Sequence, residues 1–139
     1  MSEPVDPLLS ICIVGPKRSF SAGDELVFEY QIDAIDPADI QAVEASVVWF
    51  TEGKGEEDMG VHFFERRVPA DAADGDLRPM RHVRTRLPAS PLTYHGAILT
   101  ILWCVRLRLF VRRGREFVLE QGFTLGAVPP VLARPVVVG

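Results

Sequence analysis

From Ile98 to Arg113 the chain reads ILTILWCVRLRLFVRR. Its odd positions from Leu99 to Val111 are all apolar: Leu99, Ile101, Trp103, Val105, Leu107, Leu109 and Val111. The even positions begin apolar at Ile98, Leu102 and Cys104, then turn basic at Arg106, Arg108 and Arg112. A period of two is the mark of a strand with one face on a core, so Trp103 is expected to be buried. The even face is the outer one, its first half needing cover from the loops and tail of the chain or from a partner. Fifteen extended residues would span roughly 50 Å, far beyond an average strand, so a bend or bulge is expected near Cys104 to Arg106.

The same period recurs upstream. In ELVFEYQID (residues 25–33), Leu26, Phe28, Tyr30 and Ile32 alternate with Glu25, Val27, Glu29, Gln31 and Asp33. LLSICIV (8–14) ends at Gly15-Pro16, and IDPADIQAV (35–43) holds a single helical turn with Asp36 as cap and Pro37 at its first position. AVEASVVWF (42–50), the loop TEGKGEED (51–58) and GVHFFERRV (60–68) form a hairpin with a longer connection. After the loop at 69–76, RPMRHVRTRLP (78–88) places Arg84 and Arg86 on one side and Val83, Thr85 and Leu87 on the other. The bracketing prolines, Pro79 and Pro88, place it as an edge strand or as one that begins after Met80. The long strand turns at Arg113-Gly114-Arg115, and EFVLEQGFTLG (116–126) returns antiparallel to it.

No segment sustains a 3.6-residue apolar period. About seven strands with Gly/Pro turns and no long helix predict an all-β fold, a two-layer antiparallel β-sandwich of immunoglobulin-like type. The sandwich is assigned to residues 1–126. Residues 127–139, with prolines at 129, 130 and 135, are read as an extended Pro-rich tail.

At 139 residues the chain is long enough for one core without metal or disulfide. No apolar run is long enough to cross a membrane, and MSEPVDPLLSICIVG carries acid where a secretory signal carries base, so the expected location is cytoplasmic. Cys12 and Cys104 sit in apolar runs and are expected to be thiols there. The net charge of −4 hides an asymmetry. Residues 1–65 hold 14 Asp/Glu and 3 Lys/Arg, and residues 66–139 hold 5 and 12, so the halves carry −11 and +7. Acidic strands laid beside basic ones would neutralise each other through cross-strand pairs, such as Arg106 or Arg108 with Glu116 or Glu120.

The order of elements resembles the arrestin-like fold family. GDELVFEYQID is similar to the family's early strand. TRLPASPLTYHGAILTILWCVRLRL is similar to its most recognisable segment, with Pro88, Ser90, Pro91, Tyr94 and Gly96 ahead of the long alternating strand. The match spans residues 8–126. Arrestin-type proteins usually carry two such sandwiches, and this chain has room for one, as in single-sandwich bacterial arrestin-like proteins. The resemblance implies no enzyme activity and no cofactor, but an intracellular adaptor or scaffold for a protein partner.

Signatures with firm spacing for phosphate, dinucleotide, hydrolase or metal chemistry are absent from the sequence. Gly53-Lys54-Gly55 lacks the spacing of a phosphate loop and reads as a hairpin turn. Glu52, Glu56, Glu57 and Asp58 could offer oxygens to calcium, but they read as a solvated acidic loop. His62 and His82 with Cys12 or Cys104 could form a metal or nucleophile site, which is the basis of an alternative reading as a small metal-dependent enzyme. Of the arginines, Arg84, Arg86, Arg106, Arg108 and Arg112 are the candidate partner-binding residues. If strands gather them on one outer face they would hold an acidic peptide or an anionic lipid headgroup, the latter by peripheral contact. Nucleic acid is not expected of a chain of pI 5.3 with no recognition helix. The main expectation is a non-enzymatic module that binds a protein by its charged face or by strand addition at an edge.

Overall fold

Alternation along the chain becomes two facing sheets. The computed structural model describes residues 6–55 and 57–126. Nine strands follow in order: β1 (Leu8–Ile13), β2 (Ser19–Phe20), β3 (Glu25–Asp33), β4 (Ile40–Gly53), β5 (Met59–Arg67), β6 (Arg81–Arg86), β7 (Tyr94–His95), β8 (Leu99–Val111) and β9 (Arg115–Leu125). The smaller sheet has the order β1-β3-β6. The larger has the order β2-β9-β8-β4-β5, with β7 beside β8. Every pairing is antiparallel except the short parallel contact of β2 with β9. Among the described residues there is no α-helix, only 3-10 turns.

The fold is the two-layer β-sandwich that the alternation predicts. Inward side chains of β3 (Leu26, Phe28, Tyr30, Ile32) pack against those of β8 (Trp103, Val105, Leu107, Leu109, Val111) and of β4 (Val43, Ala45, Val47). Trp103 is buried, stacks at a tilt on Phe123 and donates its indole N–H to the Pro91 carbonyl at 2.8 Å. The Asp36 carboxylate caps the turn Pro37–Asp39 by accepting from the Ala38 amide at 2.9 Å. β6 begins after Met80, leaving Pro79 and Pro88 outside it, and it also lies at an edge of its sheet.

Three features differ from the sequence reading. β4 runs on to Gly53, so the connection to β5 is shorter than the polar run implies. β8 itself has no bulge, its pairing with β9 being regular from Trp103–Phe123 to Val111–Arg115. The irregularities lie on either side of β4: Gln41 of β4 is an extra residue against β8, between Ile40 and Ala42, and His62 of β5 is an extra residue against β4, opposite the step from Val47 to Val48. Because Val48 stands opposite Cys104, the second shift is level with the site anticipated in β8 but is taken up by the outer strand. An edge strand has one partner to lose register with, whereas β8 is held on both sides. The third difference concerns the outer half-face: Cys104 is buried by its neighbours within the sheet, while Ile98 stays exposed. The Pro-rich tail, residues 127–139, lies outside the described residues.

Candidate interaction surface

The five arginines singled out from the sequence do not share a face. Arg84 and Arg86 lie on the outer side of the smaller sheet, where Arg84 meets Glu25 at 3.0 Å and Arg86 donates to the Gly23 carbonyl at 2.9 Å. Arg106 and Arg108 lie on the opposite outer side, that of the larger sheet, and Arg112 stands at the β8–β9 turn. Arg106 meets Glu120 at 2.6 Å, Arg108 meets Glu116 at 2.7 Å and Glu44 at 3.5 Å, and Arg112 meets Asp39 at 3.4 Å. The separation follows from β6 and β8 joining different sheets, which spacing along the chain does not encode. The charge asymmetry closes on itself in the same way: Arg66, Arg81, Arg84, Arg108, Arg112 and Arg115 pair with Glu44, Glu65, Glu25, Glu44, Asp39 and Asp6. Exposed pairs of this kind contribute about 0–1 kcal/mol each.

What the larger sheet leaves uncovered is apolar. β5 does not alternate cleanly, because the register shift makes His62 an extra residue. His62 reaches across to β6, within 3.0 Å of the Thr85 hydroxyl and 2.8 Å of the Arg86 carbonyl, and sits edge-on to Trp103. Phe63 also packs inward, edge-on to Phe28. The phase therefore flips, and Met59, Val61 and Phe64 all face outward, at 52%, 56% and 55% exposure. Gly60 lets this strand lie close: a Cβ there would meet the Trp49 indole nitrogen at 2.1 Å. The half-buried Phe50 and Leu102 occupy the next positions inward, opposite each other on β4 and β8.

The rim of this patch carries both signs. At one end the β4–β5 turn bears exposed Glu52, Glu57 and Asp58, which form no ion pair among the described residues. The other end is the ladder of Arg66, Glu44, Arg108 and Glu116, with the Arg66 and Arg108 guanidinium groups 5.4 and 5.0 Å from the Phe110 ring. Period two in the sequence does not reveal this patch, because it assumes an unbroken register. The signal available was apolar residues at both parities in MGVHFF.

Along the β5–β6 side, Arg81 grips Glu65 with two hydrogen bonds of 2.8 and 2.7 Å, tying one sheet to the other. That contact holds the Glu65 carboxyl below its ordinary range. Nearby, Tyr30 is buried with its hydroxyl unpartnered, and burial raises its phenol above the ordinary value.

At the end of the sandwich an open cleft of about 870 Å³ is lined by Asp36 and Asp39 together with Arg112, Arg113 and Arg115. Two non-glycine residues at positive φ line it, Ala34 at 63° and Arg113 at 69°. Such backbone costs roughly 1 kcal/mol per residue relative to glycine.

The histidines and cysteines do not converge. His82 faces outward with Glu29 at 3.0 Å, His62 lies between the sheets, Cys12 is exposed on β1, and Cys104 is buried on the larger sheet. Burial, reinforced by the charge of Glu120, pushes the Cys104 thiol up to about 11. Among the described residues no group of three or more His, Cys, Asp or Glu side chains is placed to hold a metal ion. Gly53 ends β4, and Lys54 and Gly55 form the hairpin turn after it.

No protein-family model matches the chain, and no curated protein matches it. Among solved structures, Spo0M, a sporulation control protein from Bacillus subtilis, aligns with a TM-score of 0.60 at 11% identity, over 88% of this chain and 50% of its own. The chain thus spans about half the length of that structure. A β-glucosidase from Listeria innocua in complex with isofagomine aligns with 87% of this chain and 16% of its own at 12% identity, with a TM-score of 0.40. That score is too low to carry an argument. The likeness to Spo0M is one of fold, and the fold it shares is the two-sheet sandwich described above.

Proposed function

We propose that the protein is a non-enzymatic interaction module, an arrestin-like β-sandwich working in the cytoplasm as an adaptor or scaffold, which receives a protein partner on the outer face of its larger sheet. The observation that carries this reading is the contiguous exposure of Met59, Val61 and Phe64 beside Phe50 and Leu102. Exposed apolar residues grouped in this way mark association sites more often than scattered ones do. The bulge at His62 and the charges of Arg66 and Arg67 disfavour strand addition along β5, so the face, not the edge, is the contact. The partner's surface is apolar at its centre and basic where it meets Glu52, Glu57 and Asp58. Support from comparison is the fold likeness to Spo0M, whose name describes control rather than catalysis.

A photo-crosslinking residue placed at Val61 in cells is expected to give a discrete protein adduct, with none from the same residue at Gln31 on the smaller sheet. Adducts from both positions alike, or from neither, would contradict the proposal.

A further inference from the structure

The geometry points to a second, separate site: we propose that the cleft at the β8–β9 end binds an acidic peptide segment, whose carboxylates are taken by Arg113 with Arg112 and Arg115 beside it. Its volume of about 870 Å³ falls in the range of ligand sites. Arg112, Arg113 and Arg115 come from the β8–β9 turn and the first residue of β9, and all three line the cleft. Two of them are spoken for, Arg112 by Asp39 at 3.4 Å and Arg115 by Asp6 at 3.1 Å. Arg113 makes neither a hydrogen bond nor an ion pair among the described residues, although its side chain lines the cleft. The floor is apolar, with Val111 and Phe117, and the Arg115 guanidinium lies 4.9 Å over the Phe117 ring. A carboxylate on a short methylene stem matches an exposed guanidinium above such a floor, and two-pronged hydrogen bonding is the geometry arginine offers it.

Backbone conformation supplies an independent argument. Arg113 and Gly114 have consecutive positive φ values of 69° and 74°. Hairpin turns with this geometry ordinarily take Asn-Gly or Gly-Gly. An arginine in the first position works against the turn, so its presence is accounted for by what the side chain does. The acidic lining sets direction: Asp39 is already paired with Arg112, and Asp36 repels carboxylates, which leaves Arg113 as the anion's position.

The turn also makes the test clean, because glycine at 113 relieves the backbone while removing the guanidinium. Fluorescein-labelled hexaglutamate is titrated into the full-length protein and followed by anisotropy, with hexalysine as the control peptide. Wild type is expected to bind hexaglutamate, more weakly at about 300 mM than at about 50 mM salt, and not hexalysine. Arg113→Gly should weaken binding by about tenfold or more, the loss of a charge-assisted hydrogen bond, while its melting temperature stays level or rises. Arg113→Asn, which also tolerates the turn, should behave like the glycine variant, and Arg84→Ala should bind like wild type. The proposal is overturned if wild type ignores hexaglutamate, if either position-113 variant binds as wild type does, or if Arg84→Ala loses as much. A melting temperature that falls in Arg113→Gly would remove the backbone argument with it.

Discussion

The two outer faces of the sandwich obey the same period-two rule and end in different states. On the smaller sheet, facing outward means being at least partly wet: Glu25 pairs with Arg84 in solvent, and the half-buried Glu29 pairs with an exposed His82 across β3 and β6. On the larger sheet, Val48, Cys104, Ala42 and Ser46 also point away from the core, yet all are buried. The difference is width. β4 and β8 have neighbours on both sides, and the Arg106 side chain reaches from β8 to the Met59 sulfur on β5 at 3.6 Å, roofing the strand between them. In a three-stranded sheet only β3 is flanked on both sides, and its outward residues are short of cover. Exposure is thus set by what flanks a strand, and orientation alone does not decide it.

This contrast can be broken most sharply with one charge. Val48→Asp places a carboxylate where 1% of the side chain meets water, and thermal or denaturant unfolding should show a loss of about 3–5 kcal/mol. Val27→Asp, in the outward row of the smaller sheet, should cost less than about 1 kcal/mol. Equal costs would mean that the two faces do not differ. Thiol labelling gives the next largest contrast. Cys12 is exposed, whereas Cys104 is buried with its pKa pushed up to about 11 from 9.0, so near neutral pH it should label at least roughly a hundredfold more slowly than an open thiol. One thiol per chain should react with a chromogenic disulfide in the folded protein and two after unfolding.

The smallest effect concerns the side that joins the faces. Arg81 keeps the Glu65 carboxyl below its ordinary 4.5, so the folded chain binds that proton less readily than the unfolded one. The resulting stability is complete above the ordinary value and is lost as pH falls through the lowered one. Glu65→Gln should therefore melt earlier than wild type near neutral pH, and the two curves should converge as pH drops from about 5 towards about 3. A gap that widens in acid would mean the pair does not act this way.

Much of the candidate surface was illegible beforehand for a definite reason. Because a hairpin is local, the sequence places Arg106 and Arg108 opposite glutamates of the returning strand, and Glu120 and Glu116 are there. That Glu44 also takes Arg108 was not readable, since the two are 64 residues apart. Met59, Val61 and Phe64 were hidden by the inserted His62, which turns an irregular string into a regular outward row only once β4 has chosen its partner residues.

The sequence by itself determined where the longer strands lie, that β8 and β9 form a hairpin, and which side chains of β3 and β8 enter the core. Alternation and turn chemistry are written in neighbouring residues, and hydrophobic burial reads them directly. Only the tertiary structure decided which sheet each strand joins, and with it the parting of Arg84 and Arg86 from Arg106 and Arg108. It likewise decided the burial of Val48 beneath its neighbours and the meeting of Asp36 and Asp39 with the Arg112–Arg115 turn around one cleft. Those outcomes depend on pairings between distant segments, and no period within a strand carries that information.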